Sequence, residues 1–174
     1  MPATIRLLEP ADAPRLAHLQ TEGREFFAPW DKDRDEEWFT VAGQEAEIAA
    51  QLRRHAAGEG VPFAIVDPDG ELVGRVNLTT IVRGPFQSCS MGYWLSPGAN
   101  GKGYATDAVR AVLETAFGEL GLHRVEASTL RHNERSQRVL ERSGFTRFGM
   151  APRYLKIAGA WQDHVLFQRL ADDD

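Results

Sequence analysis

The stretch GANGKGYATDA, Gly98 to Ala108, constrains this chain more than any other, because it sets Gly101 and Gly103 around Lys102 just ahead of an apolar helical repeat. A residue without a Cβ lets the backbone turn through left-handed angles or approach another group closely. The start of a helix leaves four amide donors unpaired and carries roughly half a positive charge. A glycine turn opening such a helix suits a diphosphate. The other reading is a tight strand-to-helix turn that binds nothing. Two familiar phosphate loops do not fit. A Walker loop has four residues between its first glycine and Gly-Lys-Ser/Thr, whereas here two residues separate Gly98 from Gly101, and Gly103 follows the lysine. A dinucleotide fingerprint matches Gly101 and Gly103 but meets Thr106 at its third glycine, far from any first strand.

The rest of the chain supplies the frame for this turn. TIRLLEP is expected as a first strand, and ADAPRLAHLQTEGREF as a helix with Leu16 and Leu19 on one side. FAPWDKDRDEEW, from Phe27 to Trp38, has no period and is expected as a surface loop or broken helix. In GQEAEIAAQLRRHAAGEG, the recurrence of Ala46, Ala49, Leu52 and Ala56 predicts a helix ending near Gly58. PFAIV, the turn DPDG and ELVGRVNLTTIV predict a hairpin. RGPF then turns the chain into QSCSMGYWL, with Cys89, Met91, Tyr93 and Leu95 as its apolar face. After the glycine turn a helix to about Leu120 buries Ala105, Ala108, Val109, Val112, Leu113 and Ala116. HRVEAST reads as a strand, ERSQRVLERSG as a short helix, FTRFGMAPRYLKIAGAWQDHVLFQRL as two strands around Ala-Gly, and ADDD as an acidic tail. The order βααβββαβαββ predicts an α+β fold, a mixed central sheet flanked by helices, with residues 1–174 as one domain.

Composition narrows the classes of function. A chain of 174 residues, 43% hydrophobic and 26% charged, suits a globular domain with a real core. A net charge of −5 argues against a broad nucleic-acid surface. The single cysteine, Cys89, excludes an intrachain disulfide and is expected as an inert core thiol in a reducing compartment. With no long apolar run and no signal-peptide pattern at the start, a cytoplasmic protein without membrane contact is expected. The five histidines lack metal-ligand spacing, and no metal is expected.

NGKGYATDAVRAVLETAF followed by LHRVEASTLRHNERSQRVLERSGF resembles the core of the GNAT superfamily of acyl-CoA-dependent N-acyltransferases. That family carries a Gln/Arg-x-x-Gly-x-Gly/Ala turn on the CoA pyrophosphate. Asn100 stands at its first place, Gly103 at its fourth and Ala105 at its sixth, so Asn100 departs from the usual Gln or Arg. The Pro29-Trp30 pair, GRVNLTTIVRGPFQSCSMGYWLS, LGLHRVEAST and YLKIAGAWQDH extend the resemblance to the RimJ/RimL-like branch, the ribosomal-protein alanine and serine N-terminal acetyltransferases, over nearly the whole chain. The resemblance implies a GNAT fold, a splayed sheet with acetyl-CoA wedged between two parallel strands.

It also implies roles. The turn and helix mouth, Asn100, Gly101, Lys102, Gly103, Tyr104, Ala105 and Thr106, would hold the pyrophosphate. The strand ending in Trp94 and Leu95 would bind the pantetheine arm through its backbone. Asn133 matches a residue that touches that arm, and is equally an N-cap for the helix that Gly144 ends. Ser136 matches a serine placed to protonate the departing sulfur in the RimL-like branch, where many other GNAT enzymes use a tyrosine further along the helix. The acid is then Ser136 or water, and the other reading of Ser136 is an ordinary first-turn helix residue. Arg138 is a candidate for a CoA phosphate.

The chemistry requires an amine that loses a proton, a carbonyl oxygen stabilised as it gains charge, and a thiolate that leaves. Glu126 is the candidate base, against the alternative of a cross-strand ion pair with an arginine. A free α-amine, with a pKa near 7.7–8.0, is far more often neutral at pH 7 than a lysine near 10.4. The lack of a strong base therefore favours α-amine acceptors. Trp30, Tyr93, Trp161 and His164 are candidates for the acceptor site, each with an ordinary packing role as its alternative. The expected partners are acetyl-CoA and a protein N-terminus or a small amine, with no nucleic acid, and the chain is expected as a monomer or homodimer. A small-amine acetyltransferase and a non-catalytic acyl-CoA sensor stay open beside the N-terminal acetyltransferase.

Overall fold

Alternating apolar residues in the predicted strands pair into one seven-stranded sheet in the computed structural model, which describes residues 1–171. The Asp172–Asp174 part of the expected acidic tail lies outside the described residues. The strands are β1 (Thr4–Leu7), β2 (Val61–Val66), β3 (Leu72–Val82), β4 (Ser88–Leu95), β5 (Arg124–Leu130), β6 (Thr146–Ile157) and β7 (Ala160–Leu170), in the order β1-β2-β3-β4-β5-β7-β6. All neighbours are antiparallel except β4 and β5.

The helices are α1 (Ala13–Glu22), α2 (Arg24–Phe27), α3 (Val41–Ala56), α4 (Tyr104–Glu114) and α5 (Glu134–Arg142). On one face of the sheet, α4 and α5 bury Ala108, Val109, Val112 and Leu140 against Val76, Met91, Val125 and Phe167. On the other face, α1 and α3 bury Leu16, Leu19 and Ile48 against Ala64 and Leu72. A fully buried Leu or Ile contributes about 1.5–3 kcal/mol relative to its exposed state, so these two layers account for the alternation that defined the strands. Cys89 lies in the first layer, and burial pushes its thiol up to about 12. Among the described residues, no helix is long and apolar enough to cross a membrane.

The α+β order with its mixed central sheet matches the expectation, as does the irregular segment from Phe27 to Trp38, and two local readings change. The predicted helix through Phe26 stops at Glu22, and Arg24–Phe27 forms a separate turn that aims Phe27 at Trp94, ring to ring at 5.2 Å. The Phe27–Trp38 segment is irregular until a 3-10 turn at Glu36–Phe39. In α3 the expected stripe of Ala46, Ala49 and Ala56 is exposed, and the buried line is Gln44 and Ile48. Alanines carry too little apolar area to orient a helix against Ile48. Gln44 is buried because its Nε2 donates to the Trp38 carbonyl at 2.7 Å.

The feature that positions the site is the one parallel pairing. β4 and β5 meet only at Ser88 with Arg124, Cys89 with Val125 and Ser90 with Glu126. Beyond that rung β4 stays paired with β3 out to Leu95, and β5 stays with β7 out to Leu130. The sheet therefore splits into two wings. Met91–Leu95 and Ala127–Leu130 present facing edges with no strand between them, and backbone groups there need another partner.

Candidate active site

Two cavities open from this split, one on each face of the sheet, and they share Phe27, Trp30, Tyr93, Trp94, Asn133 and Ser136 as lining residues. The first, of about 380 Å³, also takes in Leu95, Asn100, Ala105, Arg138 and Val139. The second, of about 520 Å³, extends past Ser128, Thr129 and His164 to Gln51, Arg75 and Trp38. The two cavities meet at these shared residues, with Tyr93 and Ser136 in the wall between them.

The first cavity leads to the glycine turn. Gly101 and Gly103 have φ of +79° and +88°, and a Cβ built on either would meet no heavy atom within 4 Å. The left-handed angles explain the glycines, and the space beside them is open. Gly103 caps α4, and the first hydrogen bond of the helix runs from the Asp107 amide to the Gly103 carbonyl at 3.1 Å. The amides of Tyr104, Ala105 and Thr106 precede it and have no helical acceptor. Asn100 turns inward: its Nδ2 donates to the Ser96 carbonyl at 2.8 Å and builds the turn. Lys102 is exposed, with its Nζ 5.8 Å from the Tyr104 ring centre. An open cradle, free amides and a nearby cation fit a diphosphate.

The shared wall is a hydroxyl pair. Asn133 caps α5, its Oδ1 accepting from the Ser136 amide at 3.1 Å, an interaction of about 1 kcal/mol. That bond fixes the first turn of α5, so that Ser136 Oγ lies 2.8 Å from Tyr93 Oη. Tyr93 Oη also donates to the Ser136 carbonyl at 3.2 Å. A phenol has one proton, so with both bonds made, Ser136 Oγ–H donates to Tyr93 and Tyr93 donates to the carbonyl. Burial pushes Tyr93 up to about 12, against the opposing pull of the Ser136 hydrogen bond. Sequence parity marks Tyr93 only as apolar-facing. Its bond to Ser136 depends on where α5 lands, which no local pattern encodes.

The second cavity is roofed by the final hairpin. The tip of that hairpin, Ala158-Gly159, has φ of +48° and +77°, and the Ala158 amide donates to the Asp31 carbonyl at 2.9 Å. The hairpin is thereby tied to the segment carrying Trp30, whose ring lies 5.4 Å from His132. His164 is buried and lines the cavity. Its Nδ1 lies 3.0 Å from the Gln162 carbonyl. A carbonyl only accepts, so Nδ1 carries the proton in the neutral ring and Nε2 keeps a lone pair.

Seven of the expected site residues line neither cavity. Gly101, Lys102, Gly103, Tyr104 and Thr106 form the turn and the mouth of α4 between and around Asn100 and Ala105, and Glu126 and Trp161 stand apart from it. Glu126 sits on the last paired rung, 3.6 Å from Arg124 of its own strand, an ion pair along the strand and not the expected one across strands. Trp161 is 63% exposed beside the hairpin turn and also lines neither cavity, because the two-residue turn directs it outward. Residues missed at the sequence level include Phe27, Arg75 and Gln51, which are far apart in the chain and meet only through the sheet.

Comparison with known proteins yields a consistent set. Residues 3–146 match the family model described as acetyltransferase (GNAT) domain. The chain is 41% identical over 171 residues to "Probable N-acetyltransferase YjcK" of Bacillus subtilis, covering 98% of this chain and 94% of the relative. It is 37% identical over 163 residues to the ribosomal protein uS5-alanine N-acetyltransferase of Escherichia coli, covering 93% of this chain and 84% of that one. Among solved structures, Mycobacterium smegmatis RimJ in complex with CoA-disulfide superposes with a TM-score of 0.94 at 29% identity, covering 98% of this chain and 82% of that one.

Proposed function

The chain belongs to the GNAT acetyltransferase family, in its RimJ/RimL-like branch, and is an acetyl-CoA-dependent N-acetyltransferase; from that premise we propose that its acceptor is the N-terminal α-amine of a protein, a ribosomal protein foremost. We take residues 1–174 as one catalytic domain, a reading supported by a sheet that runs from Thr4 to Leu170. The observation that carries the proposal is the pair of cavities meeting at Tyr93, Asn133 and Ser136. One side suits a nucleotide carrier, and the other is wide enough for the end of a polypeptide. The E. coli relative's name, a ribosomal protein alanine N-acetyltransferase, supports the same acceptor.

Acetyl-CoA supplies the acetyl group as a thioester. The residues that would hold it are Gly101 to Thr106 through backbone amides, with Lys102 and Arg138 near its phosphates, and Asn133, Trp94 and Leu95 along its arm. The unpaired edge of β4 offers amide donors toward the carbonyl oxygen, and one aligned donor contributes about 2.7–4 kcal/mol in sites of this kind. In this reading the pair turns over when the cofactor is bound. Tyr93 Oη gives up the Ser136 carbonyl and donates to Ser136 Oγ, whose own proton then turns toward the departing sulfur. With Tyr93 near 12 and a thiol near 8.5, complete proton transfer from the phenol is uphill by roughly 5 kcal/mol. The hydroxyl pair therefore stabilises a thiolate by hydrogen bonding, and the proton released by the amine neutralises it later. His164 Nε2, in place of Glu126, takes the amine proton, directly or through water. A neutral imidazole is a weak base and suits an α-amine of pKa about 7.7–8.0, not a lysine.

The test has two parts. CoA and acetyl-CoA should each raise the melting temperature by mass action. Release of thiol from acetyl-CoA should then follow addition of peptides with a free N-terminal alanine or serine, with kcat/KM at least about 100-fold above that for spermidine, an aminoglycoside or a free amino acid. Stabilisation without turnover on any amine would make the chain an acyl-CoA sensor. Preference for a small amine would overturn the N-terminal reading and leave the acetyltransferase intact.

A further inference from the structure

Arg75 is 3% exposed, lies in the middle of β3 and lines the acceptor-side cavity. Its Nη2 donates to Gln51 Oε1 and, at 3.2 Å, to Asn77 Oδ1, while its Nε is buried with no hydrogen-bond partner. Among the described residues no carboxylate stands within ion-pair distance of it. Glu47, whose charge acts on it more strongly than that of Asp12, is engaged by Gln51 Nε2. A buried guanidinium held only by neutral amides is costly, and loss of water draws Arg75 down to about 10.

The surroundings add to this field. The charged residues lining the cavity are the cations Lys32, Arg34, Arg54 and Arg75 and the carboxylates Asp31 and Glu47. Asp31 is itself taken by Arg34, with contacts of 2.8 and 3.1 Å. In a chain of net charge −5, the acceptor cavity is locally positive. That sign repels polyamines and other polycations, and it rewards an anion.

Resting on the N-terminal reading above, we propose that Arg75 and its neighbours form an anion subsite that selects acceptors carrying a carboxylate close behind the reactive amine: a peptide with Asp or Glu among its first residues. Arg75 pairs with Trp94 in the β3–β4 register, one strand from the edge where the amine must react. Strands lie about 4.8 Å apart and an extended peptide advances about 3.4 Å per residue, so the acid belongs at the second to fourth position.

The experiment uses N-terminal alanine peptides identical except for Glu, Gln or Lys at the second, third or fourth position. The wild-type protein should favour Glu over Gln by about tenfold in kcat/KM at its best position, mostly through KM, and should disfavour Lys. The ratio should collapse toward one in Arg75→Gln and recover in part in Arg75→Lys. Should Arg75→Gln fail to fold, Arg54→Gln, an exposed residue of the same cavity, should lower the ratio by a smaller factor, as should added salt. Equal use of Glu and Gln at every position, or a ratio unchanged in both Arg75→Gln and Arg54→Gln, overturns the subsite while the N-terminal reading stands. Turnover of none of the peptides overturns both.

Discussion

The two sides of the site are built by different means. On the α4 and α5 face, the residues come from three short runs, Phe26 to Trp30, Tyr93 to Ala105 and His132 to Val139, and the turn that opens α4 offers backbone groups. On the opposite face, Gln51, Arg75, Trp30, Ser128 and His164 arrive from five separate elements and act through side chains. The first side depends on angles that only a few residue types tolerate, and the second on where whole elements happen to pack. On the assignment proposed above, the difference teaches that the cofactor side rests on local backbone geometry, whereas the acceptor side rests on side chains brought together by packing.

The sharpest way to break this comparison is Gly103→Glu. The φ of +88° costs a non-glycine residue about 1–2 kcal/mol, and no atom within 4 Å obstructs a Cβ, so the variant should fold with a melting temperature lower by a few degrees. Its carboxylate would stand at the mouth of α4, where an anion is to bind. CoA affinity by calorimetry should fall at least about 100-fold, with peptide KM little changed at saturating cofactor. A variant that binds CoA like the parent would show that the turn is a structural connection, and the distinction between the two sides would be lost.

The same distinction explains what the sequence disclosed. Alternation in QSCSMGYWL and the stripe of α4 encode burial directly, so the strands, α4 and the parallel crossover were legible. The Asn133 cap was legible because capping is local. For Glu126, parity gives a face of the sheet and not a depth along the split: it lies on the last closed rung. Arg75 gave no signal at all. An arginine among GRVNL reads as an exposed strand residue, and its burial follows from α3 packing on β2 and bringing Gln51 to Arg75, a long-range contact. The alanine stripe of α3 failed for a related reason, since a helix turns toward its bulkiest apolar residue and not toward the most regular spacing.

A medium effect is expected where the two sides meet. Tyr93→Phe keeps the ring in the core and removes the hydroxyl from Ser136, and Ser136→Ala removes the other half of the pair. Each should lower kcat by about 10–100-fold with acetyl-CoA affinity nearly unchanged, and the double variant should lose little more, because the two hydroxyls act as a unit. The pH profile sharpens this. The group with a raised pKa is neutral below about 12, so it cannot cause a loss of activity near neutrality. The wild-type kcat/KM should rise as the peptide α-amine deprotonates around pH 7.7–8.0 and then stay level to about pH 10. A fall between pH 8 and 10 in the wild type that is absent from Tyr93→Phe would assign the phenol a much lower pKa and make it an outright proton donor.

The smallest effect compares two tryptophans that the sequence treats alike. Trp30 is 40% exposed, lines both cavities and faces His132, while Trp161 is 63% exposed and lines neither. An aromatic wall that is half withdrawn from water should add about 1 kcal/mol to peptide binding, so Trp30→Ala should raise the peptide KM roughly fivefold. Trp161→Ala should stay within about twofold, since a surface side chain outside both cavities has nothing to lose there. A larger loss in Trp161→Ala than in Trp30→Ala would mean that the acceptor chain runs out across the hairpin and not along the Phe27–Trp38 segment, and it would relocate the variable half of the site to the outer surface of β6 and β7.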